Sequence, residues 1–253
     1  MRVVDKVAVG NPKLDTGSEP RAAIARSSAR QLLSLPDQIA EHIFAAISTG
    51  EYAPGDRIRE EVLAERFEVS RGPIREALRI LEKDAVVRIL PNRGAHVTQL
   101  SIPEVEDIFE IRRTLNGVMH ARLSAEEAMA LAAIIEGDVR KLETLAQDVD
   151  GHAYAETIFR LGGVIRDACT NRRLADILAA LARQTLRYTQ LGLATAVRRK
   201  QSARNWRTLL KAMKAGNPDG AAYAIENLID DSRREAVRKL QARAAADQGG
   251  SGP

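Results

Sequence analysis

Apolar residues first fall into a helical rhythm at Ile39, Ile43, Phe44 and Ile47. That spacing lays one stripe of a helix against a core. Gly50 and the cluster Ala53-Pro54-Gly55-Asp56 stop this helix and make a turn. A short second helix is predicted near Glu60–Phe67, with Val62, Leu63 and Phe67 facing inward. A third follows Ser70-Arg71-Gly72-Pro73 and runs to about Asp84. Ser70 is placed to cap it through its hydroxyl. Pro73 falls in the first turn, where a missing N–H costs little. Val86–Leu90 and Ala95–Thr98 then read as two short strands, joined by the turn Pro91-Asn92-Arg93-Gly94. Three helices and a two-stranded wing within residues 34–100 outline a winged helix-turn-helix.

Everything after the hairpin reads as helix. Ser101-Ile102-Pro103-Glu104 and Ser124-Ala125-Glu126-Glu127 are capping boxes. Breaks fall at Asp148-Val149-Asp150-Gly151, at Asn171, near Val197–Ser202, and at Asn217-Pro218-Asp219-Gly220. The expectation is a mainly α protein, with a bundle of about six or seven helices over residues 101–243 and no further strands. Residues 1–33 read as a flexible arm, either a disordered leader or a basic arm that touches DNA. Residues 244–253 read as a disordered tail.

Composition narrows the function classes. The 253 residues are 45% hydrophobic and 28% charged, which excludes global disorder. A single cysteine excludes an intramolecular disulfide framework and a four-thiolate metal site within the chain. No apolar run is long enough to span a bilayer, and the first residues lack a secretory pattern, so no membrane association and a cytoplasmic location are expected. The net charge of +4 is a weak pointer to nucleic acid. The arrangement of charge says more. On the third helix Arg71, Arg75, Arg79 and Lys83 fall within a sector of roughly 120°, opposite Ile74, Ala77, Leu78 and Leu81. A helix of this kind after a tight turn suits the major groove, where arginine forks pair with guanine. Glu76 and Glu82 interrupt the stripe, which by itself fits a solvated helix face equally well. The compact tip Arg93-Gly94 suits a minor groove and favours DNA. Gly72 lets the backbone approach a phosphate at the helix N-terminus.

These residues carry a resemblance. The run from Gly50 through Gly55, Arg57-Ile58, Glu60, Leu63-Ala64 and Val69-Ser70-Arg71 to Pro73-Ile74-Arg75-Glu76-Ala77-Leu78 and Leu81 resembles the DNA-binding domain of the GntR family. The wing ending in Gly94 and Val97 matches as well. The helical region resembles the FCD ligand-binding domain of the FadR subfamily. The resemblance implies a homodimeric transcriptional regulator, usually a repressor, released from double-stranded operator DNA by a small-molecule effector. It places DNA contacts at Ser70, Arg71, Gly72 and Arg75, and at Arg93 and Gly94 of the wing. One departure is Glu61, which stands where the acyl-CoA-responsive branch has an operator-contacting arginine.

Many FCD domains hold a divalent metal through one Asp and three His. Anchored on Asn171, those positions fall here on Ile158, Gly162, Trp206, and Leu228 or its neighbour Asn227. None is a carboxylate or an imidazole. The four histidines, His42, His96, His120 and His152, lack chelating spacing. No bound metal and no cofactor are expected. The loss should leave a more apolar cavity, with Gly162-Gly163 opening backbone space or serving close helix packing. An anionic effector (an organic acid, a sugar acid or an acyl derivative) would then need arginine. Arg112 stands on the stripe Val105, Ile108, Leu115 and Met119. It matches the family's Arg-x3-Glu pattern, except that the Glu is Asn116. Trp206, Arg183, Arg187 and Tyr188 are further candidates for the pocket. The run Arg198-Arg199-Lys200 reads as a solvated loop or helix start.

Two other functions remain open at this point. One is an enzyme with a helical catalytic domain, although no nucleophile motif, phosphate loop or metal cluster is visible. Cys169 reads as core. The other is a ligand-insensitive architectural DNA binder, which would not need a large apolar helical domain.

Overall fold

The computed structural model describes residues 33–148 and 151–249. The predicted N-terminal arm lies outside the described residues, apart from Leu33. The chain opens with α1 (Leu35–Thr49), whose cap Ser34 forms a capping box with Asp37. Strand β1 (Arg57–Ile58), helix α2 (Glu60–Arg66) and helix α3 (Arg71–Lys83) follow. Strands β2 (Val87–Leu90) and β3 (Gly94–Val97) complete the wing.

The sheet has three antiparallel strands in the order β1-β3-β2. Arg57 pairs with His96, and Val87 with Val97. The third strand corrects the two-stranded reading. At two residues, β1 is too short to show a period. Val62 faces solvent rather than the core, at 51% exposure, while Leu63 is buried. Ser70 stands at the N-cap of α3, but its hydroxyl makes no capping bond. The core of this half gathers Ile39, Ile43, Ile74, Leu78 and Leu81 with Ile58, Val87 and Ala95.

The second half is all helix: α4 (Ile102–Ala121), α5 (Ala125–Leu145), α6 (His152–Asp167), α7 (Arg172–Gly192), α8 (Ala196–Lys214) and α9 (Pro218–Gly249). Both expected capping boxes are present, on Ser101 and Ser124. Asn171 caps α7 by accepting from the Leu174 N–H. Helix α9 runs to Gly249, past the expected end at residue 243, because the run Ala244-Ala245-Ala246 favours helix. The α7–α8 break lies just before Ala196, upstream of the predicted position.

Arg199 is therefore not solvated. It is buried in α8 and donates from Nη1 to the Leu193 carbonyl at 3.0 Å, and from Nη2 to the Asp148 carbonyl. It ties two interhelical turns together. Gly151 makes room for it at φ +71°, where a Cβ would stand 2.6 Å from its Nη1.

The two halves share a boundary on α7. Arg183 pairs with Glu41 at 2.6 Å and with Asp84 at 3.0 Å, and its guanidinium lies 4.0 Å from the centre of the Phe44 ring. Burial raises the Asp84 pKa, although Arg183 opposes the shift. Leu186 packs into the winged-helix core, and Phe159 of α6 meets Phe44 with ring centres 5.8 Å apart. The Tyr188 hydroxyl accepts from the Leu100 N–H at 2.9 Å. Arg183→Ala should therefore lower stability by about 2 kcal/mol, between the limits for surface and buried pairs. It should also speed amide exchange across Leu35–Thr49. Urea unfolding with hydrogen exchange checks this, and unchanged exchange in α1 would remove Arg183 from the boundary.

Candidate DNA-reading surface and effector cavity

Helix α3 buries Ile74, Ala77, Leu78 and Leu81 and turns its basic stripe outward. Three arginines of the stripe are each paired with a glutamate. Arg71 pairs with Glu61 at 3.0 Å, Arg75 with Glu60 at 2.8 Å, and Arg79 with Glu76 at 2.9 Å. The pairs are exposed, so solvent screens them and a phosphate or guanine edge can displace the glutamate. Glu61 sits below the usual carboxylate range through its backbone hydrogen bond and the charge of Arg71. The residue that departs from the acyl-CoA branch thus positions a neighbouring arginine. Ser70 and Gly72 lie exposed at the start of α3.

Arg93 stands exposed at the wing tip, with no acidic partner among the described residues. Gly94 holds φ +80° in that turn. A Cβ on Gly94 would lie 3.6 Å from Arg57 Nε, so Arg57 adds a second cation beside the tip. Sequence reading passed over Arg57 because β1 gave no strand signal.

The helical half encloses a cavity among α4, α6, α7, α8 and α9. Its walls include Phe109, Arg112 and Asn116, Ile158, Gly162 and Arg166, Leu178, Ala182 and Leu186, Trp206, and Leu228. The four positions that the family resemblance assigns to a metal, Ile158, Gly162, Trp206 and Leu228, all line this one space. Asn227 does not. The lining contains no His, Cys, Asp or Glu, and two guanidiniums face it. Such walls repel a divalent cation and offer it no anionic donor, so the family's metal does not fit. Among the described residues no cluster of three or more His, Cys, Asp or Glu could hold a metal elsewhere.

Trp206 and Arg112 are the effector candidates that line the cavity, Arg112 from α4. Its Nη1 donates to the Thr185 hydroxyl at 2.5 Å, its guanidinium lies 5.0 Å from the Phe109 ring centre, and its Nε has no partner. Burial pulls its pKa down to about 10, and the nearby charge of Arg166 adds to the shift. It remains a cation at neutral pH. Asn116 leaves that charge unneutralised, since its amide donates at 2.7 Å to the Arg112 carbonyl. Trp206 is buried in the same wall, and its Nε1–H has no partner.

Arg183, Arg187 and Tyr188 are corrections. They lie on α7 outside the cavity lining, with Leu186 between, which lines both spaces. They line a separate crevice beside Phe44, Ile47 and Val97. Arg187 donates to the Tyr52 carbonyl at 3.3 Å, within the winged half. Arg166 is the cavity residue that sequence reading missed. It forms no ion pair with the adjacent Asp167, although the Asp167 charge opposes the loss of its proton. Gly162 and Gly163 give its guanidinium space: a Cβ on Gly162 would stand 3.0 Å from its Nη1. Burial lowers the Arg166 pKa.

Comparison with known proteins agrees with this geometry. Residues 35–97 match the bacterial regulatory proteins of the gntR family, and residues 107–231 match the FCD domain. A transcriptional regulator of Agrobacterium vitis, from the TAR-I ttuE-ttuC' intergenic region, is 33% identical over 45% of this chain and 70% of its own length. An HTH-type transcriptional regulator of Mycobacterium tuberculosis is 29% identical over 57% of this chain; the match spans 58% of that protein's length. A probable D-xylose utilization operon repressor of Paenarthrobacter nicotinovorans is 24% identical over 78% of this chain and 86% of its own length. Among solved structures, Escherichia coli McbR/YncC shares the fold with a TM-score of 0.72 at 20% identity, over 83% of this chain and all of that one. These relatives are named as regulators, not enzymes, and no described helix is long and apolar enough to cross a membrane. The chain belongs to the bacterial gntR family of transcriptional regulators, with an FCD domain behind its winged helix.

Proposed function

We propose that this protein is a cytoplasmic, metabolite-responsive repressor of the FadR subfamily. As a homodimer it holds two recognition helices on a pseudo-palindromic operator, and a small anionic effector in the helical cavity releases it. The observation that carries the reading is a shared wall. Leu186 lines the cavity and also packs into the winged-helix core. Phe159 lines the cavity and meets Phe44 of α1. A ligand that repacks that wall acts directly on the support of the DNA-reading half. Release requires that the effector bind the DNA-incompetent arrangement more tightly than the competent one. The Paenarthrobacter relative's name supports repression.

The DNA-reading roles rest on Ser70, Arg71, Gly72 and Arg75 at α3, and on Arg93 and Gly94 at the wing. The test is a titration against the chain's own upstream intergenic DNA at two salt concentrations, with and without candidate organic acids. Selective binding with a steep salt slope is the expected result. Equal, weak binding to all sequences would count against it. Arg71→Ala and Arg75→Ala should each weaken specific binding by about tenfold or more with the fold intact. Full affinity in both variants would refute the helix assignment. Arg112→Ala should blunt effector release in the same assay, and an unchanged response would remove Arg112 from the site.

A further inference from the structure

We propose that His96 is a positioning residue of the wing, and that it takes up a proton when the protein binds duplex DNA. The inference rests on the DNA-reading role of the wing proposed above and adds a proton to that contact.

The first observation is the setting of the imidazole. Ala95 and Val97 of β3 are buried, so His96 between them points to the outer face of the sheet. Its Nδ1 lies 3.1 Å from the Gly55 carbonyl oxygen, and its Nε2 lies 3.3 Å from that of Arg93. A carbonyl only accepts. A neutral imidazole carries one N–H and can donate to one of the two, whereas the imidazolium donates to both. Full use of this setting therefore needs the charged ring. In that state His96 ties the wing tip to the turn that holds Gly55. Arg93 stands between two residues in left-handed backbone, Asn92 at φ +59° and Gly94 at φ +80°. A bond to its carbonyl fixes the turn that presents its side chain.

The second observation is charge. Strand register sets Arg57 of β1 and Arg88 of β2 directly opposite His96. The three make one basic row across the outer face, and both arginines are exposed. Arg88 is offset by Glu104 of α4 at 3.6 Å. Hydrogen bonds from the Ser101 N–H and hydroxyl hold Glu104 below the usual carboxylate range. Arg57 forms no ion pair among the described residues. Asp56, beside it in the chain, turns its carboxylate to the Ala53 N–H at 2.7 Å. Like charges directly opposite one another are unfavourable. Arg57 thus opposes the proton that the two carbonyls invite.

Duplex DNA resolves this conflict. A phosphate brought against Arg57 and Arg93 neutralises the row, and the imidazolium then costs less. The bound state holds more protons than the free state, so affinity rises as pH falls. Histidine changes charge between about pH 5 and 8, which sets the window.

The test is titration of the full chain with two duplexes, its own upstream intergenic DNA and a random sequence of equal length. Affinity for both should rise about tenfold from about pH 8 to about pH 6 at constant ionic strength. Both should respond, because a phosphate contact carries no sequence information. His96→Gln should flatten the profile to within about twofold. His96→Arg keeps its charge at every pH, so it should bind tightly throughout and be flat as well. His42→Gln is the control. His42 lies on α1 with its ring centre 5.7 Å from that of Phe67, and its loss should leave the rise in place. Calorimetry in two buffers of different ionisation enthalpy should show proton uptake on DNA binding by the unaltered protein and less by His96→Arg.

A pH-independent affinity of the unaltered protein would overturn the proposal. A rise that survives in both His96 variants would do the same. If His96→Gln folds poorly, His96→Arg carries the test, because its flat profile at high affinity is not a result of damage. Arg93→Ala separates the two readings. Unchanged DNA affinity in that variant sinks the wing reading and this proposal with it. Weakened affinity, with a pH profile that persists without His96, sinks this proposal alone.

Discussion

Helix α7 is the constraint on which the rest depends. One helix must close a cavity on one side and carry a DNA-reading domain on the other. The period of 3.6 residues makes this possible by sending Leu178 and Ala182 one way and Arg183 and Arg187 another. Leu186 sits at the seam and serves both cores. No linker intervenes to absorb a change on the cavity side. Close-packed interiors transmit displacement rather than absorb it, and the proposed coupling of cavity and winged helix relies on that.

The cavity shows how a site can change chemistry while keeping its place. Four of the positions that line it are those the family resemblance assigns to a metal. Here they carry an isoleucine, a glycine, a tryptophan and a leucine. Positive charge is still present, but it has moved to side chains. A guanidinium differs from a metal ion in having fixed, directional donors and no open coordination positions. It reads the shape of an anion more than its basicity.

Much of the fold was legible in the sequence because the signals are local. The spacing of Ile39, Ile43 and Ile47, the capping boxes at Ser101 and Ser124 and the turn at Pro91–Gly94 act within a few residues. The misreadings share an opposite cause. Strand β1 exists only through pairing with β3, which no short window contains. Arg183, Arg187 and Tyr188 look like pocket residues along α7. Their partners Glu41, Tyr52 and Leu100 come from distant parts of the chain. Arg199 was taken for surface because it stands between Arg198 and Lys200, yet it binds two carbonyls in the interior. Arg166 carries no local signal, because its place in the cavity is set by helices distant in sequence.

The glutamates on the reading face have a kinetic consequence. Glu60, Glu61 and Glu76 neutralise the arginines that would otherwise grip any polyanion. Random duplex must break those pairs for backbone contact alone, whereas a matching site regains the loss through base edges. On the proposed reading, these pairs hasten departure from sequences that offer backbone contact alone. Speed of search would then be set by side chains outside the proposed base contacts.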